Sequence, residues 1–111
     1  MGMYQSAYFT YGVQIPDTSS DRLEDALAPL ATRQKGDDHV GYLHAGKYDD
    51  DRTYLVTRCL EADLGQARQV HPEQTTAEQY ADWNHNLGEA IAALGLTDLP
   101  EPTWLVIPNV D

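Results

Sequence analysis

Gly41-Tyr42-Leu43-His44-Ala45-Gly46-Lys47 has the spacing of a phosphate-binding loop as far as its lysine. That chemistry next needs a Ser or Thr to reach a metal ion, and Tyr48 stands there instead. It also needs a strand before and a helix after, so that backbone N–H groups and the helix dipole converge on the phosphate. Here both glycines fall in a predicted hairpin, and Asp49, Asp50 and Asp51 just beyond would repel an anion. Nucleotide binding is not expected. The three aspartates could offer oxygen to Ca²⁺ or Mg²⁺, but the glycine and distal glutamate of a calcium loop are missing. Neighbouring side chains in an extended turn also point in different directions, so a solvated turn is expected, with no metal and no cofactor.

The four histidines do not form a metal signature. His39 and His44 are five apart, which puts them on opposite sides of a regular strand; His71 falls in a loop and His85 on a helix. Asp37-Asp38-His39 has the acid–imidazole form of a general base, but such a run is more often a polar turn entering a strand. Cys59 is the only cysteine, which excludes an internal disulfide and fits a reducing, cytoplasmic setting. Its strand-like surroundings predict a buried thiol, and nothing adjacent in sequence lowers its pKa. No catalytic set emerges, and a non-enzymatic role is expected.

Charge is more informative. From Gln69 to Asp111 the chain has no Lys or Arg, yet it carries Glu73, Glu78, Asp82, Glu89, Asp98, Glu101 and Asp111. On a helix, Glu78, Asp82, His85 and Glu89 lie within a sector of about 60°, opposite Tyr80, Leu87 and Ile91. Acids near a helix N-terminus are favourable in themselves. The absence of any basic residue for i,i+4 pairing is what a solvated stripe leaves unexplained. With a net charge of −11, the field repels DNA, RNA and anionic membranes and favours a basic protein partner.

These residues need elements to hold them. Tyr4 to Ile15 alternates as a long strand, with Ala7, Phe9, Tyr11, Val13 and Ile15 on one face, and Pro16 ends it. Leu23, Ala26, Leu27 and Leu30 mark a helix that Pro29 kinks or shortens, with Gly36 as terminator. Val40–Ala45 and Thr53–Leu60 form a hairpin through a long polar turn. Ala67 to Val70 reads as a short edge strand stopped by Pro72. A second helix opens on a Thr76/Gln79 capping box and closes at Gly95; Tyr80, Trp83, Leu87, Ile91 and Leu94 form its apolar face. Thr103 to Ile107 is the last strand, ended by Pro108.

One domain spanning 1–111 is expected, since no linker or repeat interrupts the pattern. The order strand, helix, strand, strand, helix, strand predicts an α+β, ferredoxin-like βαββαβ sandwich, a four-stranded antiparallel sheet with two helices on one face. Tyr4, Tyr8, Tyr42 and Tyr54 are candidates for the helix-free face, where they would form an oligomer interface, a homodimer being the simplest. The leading functional expectation is a small acidic protein-binding module. Its sharper form is an inhibitor in which Glu78, Asp82 and Glu89, with His85 among them, mimic nucleic-acid charge toward a basic partner such as a nucleic-acid-binding protein. The alternatives are a small-ligand binding protein or enzyme using a cleft near His39, His44 or His85, and a structural homo-oligomer. No apolar run suits a membrane span and no signal peptide is visible, so the expected location is cytoplasmic.

Overall fold

The computed structural model describes residues 5–31, 34, 39–47, 50–63 and 67–110. Its elements are β1 (Gln5–Ile15), α1 (Ser20–Ala31), β2 (Gly41–Lys47), β3 (Asp50–Asp63), α2 (Ala77–Ala93) and β4 (Thr103–Val110), with a 3₁₀ turn, Pro72–Gln74, before α2. The strands form one open sheet in the order β2-β3-β1-β4, and each neighbouring pair is antiparallel. The expected α+β class, with a four-stranded antiparallel sheet and two helices, is what the chain adopts.

Strand alternation decides which side chains meet the helices. Tyr11, Val13 and Ile15 of β1 and Leu55 of β3 turn to one face. There they pack with Leu23, Leu27 and Leu30 of α1 and Trp83, Leu87 and Ala90 of α2. The alternation is unbroken in β1 but not in β3. Thr10 pairs with Cys59 and Gly12 with Val56, so Thr57 and Arg58 together oppose Tyr11. This bulge reverses the facing of β3: Thr53 and Leu55 face the helices before it, and Leu60 and Ala62 after it. The Thr57 hydroxyl secures the irregularity by donating to the Tyr11 carbonyl at 3.0 Å.

The sheet is strongly curled. β2 and β4 sit at opposite ends of the strand order, yet their backbones approach each other. Thr10, Ala45, Val56 and Ile107 point away from the helices but are buried, because the curl folds that face in on itself. The Ser6 hydroxyl is enclosed there without a hydrogen-bond partner among the described residues, and the Thr10 hydroxyl is enclosed beside the Cys59 thiol.

The expected ends of α2 are present. Thr76 accepts from the Gln79 N–H while the Gln79 side chain accepts from the Thr76 N–H. Gly95, at φ 71°, follows the last turn, and Leu96 N–H reaches back to the Ile91 carbonyl at 3.1 Å. Beyond α1, Gln34 is 6% exposed; its side-chain oxygen accepts from Val40 N–H at 2.9 Å and its amide nitrogen donates to the Asn86 carbonyl. Gln34→Ala should cost about 1–3 kcal/mol, because it leaves the Val40 N–H buried and unpaired. Urea unfolding would show this as a lowered midpoint at unchanged slope.

Several boundaries differ from expectation. The helix α1 runs through Pro29 to Ala31, since the proline falls in the last turn, where little helix remains to disrupt. Pro108 does not end β4; it pairs with Ala7 on an edge strand, which tolerates a missing donor. Ala67 to Val70 is irregular rather than a strand. Gly36 and Tyr4 lie outside the described residues, as do Tyr48 and Asp49 of the hairpin turn.

Candidate functional site

The two helices present an outer surface dominated by carboxylates. On α2, Glu78 and Asp82 are exposed, His85 is exposed, and Glu89 is half-buried. Trp83, Leu87 and Ala90 anchor the opposite side of the helix in the core, and that anchoring turns the acidic stripe outward. On the same stripe, the His85 imidazole Nε2 lies 3.6 Å from Glu89 Oε1. An exposed pair of this kind contributes little to stability.

The surface is larger than the stripe read from the sequence. Asp21, Glu24 and Asp25 of α1 are also exposed, and α1 packs beside α2. Leu23, Leu27 and Leu30 bury the inner side of α1, so Asp21 and Asp25 project outward while Glu24 lies on a flank, accepting from the Tyr42 hydroxyl at 3.1 Å. The helical periodicity of α1 carried this signal. It lies outside the stretch that lacks Lys and Arg, where the acids stand out by composition alone. Across both helices the only Lys or Arg is Arg22. Its guanidinium donates to the Leu94 carbonyl at 2.7 Å, so it is committed to the C-terminal end of α2 rather than to the acids.

The tyrosines are divided by the strand register. Tyr8 and Tyr54 lie on the helix-free face and are half-buried. Tyr42 pairs with Leu55 and packs against the core on the helix side, so it does not join them. Cys59, expected to be buried, is exposed, and the bulge places it on the face away from the helices, paired with Thr10. Burial around its sulfur nevertheless pushes the thiol pKa up, which works against a reactive thiolate.

The histidines fall in separate places. His39 precedes β2 and lines a cavity with Cys59 and Arg58. His44 Nε2 donates to the Thr18 carbonyl at 2.8 Å and ties the entry of α1 to β2. His71 sits 3.3 Å from Glu73, whose carboxyl is held below its ordinary range first by its own backbone N–H and then by that imidazole. Among the described residues, no three His, Cys, Asp or Glu side chains gather as a metal centre, and no helix is long and apolar enough to cross a membrane. Comparison with protein-family models, curated proteins and solved structures finds no match to this chain.

Proposed function

We propose that the protein is an acidic protein-binding module whose helical layer docks a basic partner, and that the partner surface is one that otherwise holds nucleic acid. One observation carries this reading: six exposed or half-buried carboxylates on two adjacent helices, with the single arginine of those helices engaged elsewhere. Concentrated like charge is costly to the isolated fold and is offset when a complementary surface neutralises it. Glu78, Asp82 and Glu89 stand in for phosphates in this reading, with His85 on the same stripe. The arrangement also belongs to the fold reading: the element order and the β2-β3-β1-β4 sheet are consistent with two interlocked β-α-β units of the ferredoxin-like kind.

Partner capture with tagged protein at ~0.1 M and ~0.5 M salt tests this, since screening shortens sharply across that range. The expected partner binds at the lower salt, releases at the higher, and is displaced by added duplex DNA or RNA. Combined Glu78→Lys, Asp82→Lys and Glu89→Lys should abolish capture while the circular dichroism spectrum stays native, because Glu78 and Asp82 are exposed and Glu89 is half-buried. Capture that survives both the reversal and the salt would sink the reading.

A further inference from the structure

A cleft of about 350 Å³ opens on the helix side of the sheet, between β1, β3, β4 and the irregular segment that leads into α2. Its lining reverses the character of the rest of the molecule. The chain carries 18 Asp and Glu against 7 Lys and Arg, yet among the described residues no acid lines this cleft while Arg58 and Arg68 both do. Arg58 stands on the β3 bulge. Arg68 Nη1 donates to the Glu61 carbonyl at 3.0 Å, a bond that holds the guanidinium at the rim.

Aromatic surface lines the same cleft. The rings of Phe9 and Trp104 stack with centroids 5.0 Å apart and planes 10° from parallel, and Trp83 lies beside Trp104. A narrower, mainly apolar groove of about 160 Å³ continues from the cleft along the sheet, sharing Phe9, Leu60, Arg68 and Val70; Glu61 lines this groove but not the cleft, so the anionic end of a ligand belongs in the cleft. It ends at Val106, which is 67% exposed and is the exposed large apolar side chain among the described residues. The bulge is what assembles this surface, since it turns Leu60 inward next to Phe9.

We propose that the cleft binds a small organic anion with an aromatic or alkyl body. A carboxylate matches the planar donor fork of a guanidinium, and charge-assisted bonds of that type are about twice as strong as neutral ones. The body of the ligand lies against the Phe9 and Trp104 rings and extends toward Val106. The volume suits a molecule of one or two rings. This inference stands on the cleft alone and does not depend on the helical surface.

Naphthalene-2-carboxylate and its neutral carboxamide, titrated into the intact protein, separate charge recognition from simple apolar partition. The carboxylate is expected to bind about tenfold more tightly than the amide, equivalent to about 1.4 kcal/mol. It should quench tryptophan fluorescence and shift the Trp104 indole N–H resonance. Arg58→Gln and Arg68→Gln should each weaken the carboxylate only, and together they should erase the preference; both side chains are on exposed residues, so the fold should survive. Equal affinity for the two probes, no binding at ~10 mM of either, or a preference that survives the double variant would overturn the proposal.

Discussion

Trp83→Ala is expected to remove about 3–5 kcal/mol, the usual range for emptying a large aromatic site in a core. Trp83 is 1% exposed and joins α2 to the sheet through rings of three other elements or turns of its own helix. Its centroid lies 5.3 Å from Tyr11, 5.8 Å from Tyr80 and 5.8 Å from Trp104. These pairs are tilted or edge-on, the orientations in which ring quadrupoles attract. Two hydrogen bonds lock the same cluster: Tyr11 donates to Asn84 Oδ1 at 2.7 Å, and Trp104 Nε1 donates to the Tyr80 hydroxyl at 2.9 Å. Domain stability is typically about 5–15 kcal/mol, so the loss is a large part of the total. Thermal unfolding should move down by at least about 10 °C. Trp83→Phe, which keeps a ring in the site, should lose much less. A Trp83→Ala protein melting within a few degrees of the parent would mean that the cluster is not what docks α2.

Gly12→Ala is the second large effect, and its cause lies in backbone rather than side chain. A Cβ on Gly12 would collide with the Leu55 carbonyl oxygen and stand 3.0 Å from the Val56 Cα. Both obstacles belong to the paired β3 backbone, so no rotamer change relieves them. The central strands would have to separate at the bulge, and overpacking of this kind typically costs about 1–3 kcal/mol, or more where the neighbour cannot yield. The expected result is a loss at or above the top of that range, with hydrogen exchange accelerated first along β1 and β3. Gly88 is the control: it is exposed on α2 and a Cβ there meets nothing within 4 Å. Gly88→Ala should be neutral or stabilising by up to about 1 kcal/mol, since alanine favours helix. Similar stabilities for the two alanine variants would refute the close approach at Gly12.

Local chemistry was legible in the sequence. The capping box at Thr76 and the stop at Gly95 depend on residues within a few positions of one another, so they can be read without knowing the fold. The apolar face of α2 and the alternation of β1 follow from periods of 3.6 and 2, and they establish which residues enter the core. Those periods, with the order of elements, were enough for the α+β class and for an acidic stripe on α2. Local pattern failed where a partner strand intervened. Pro108 looks like a stop until β4 proves to be an edge, and Cys59 and Leu60 exchange faces only because Tyr11 is opposed by two residues of β3.

The cleft lies at the far end of this scale. Phe9, Arg58, Arg68 and Trp104 come from four separate stretches of chain, and no spacing links them. Sequence alone determined the net charge, the helix ends and the composition of the core, because each is additive or local. Tertiary structure alone decided the facing of β3 beyond its bulge, the curl that buries Thr10 and Ile107, and the gathering of two arginines and two stacked rings around one cleft. Each of these depends on backbone pairing across the chain, where a single added residue in one strand turns every later side chain to the other face.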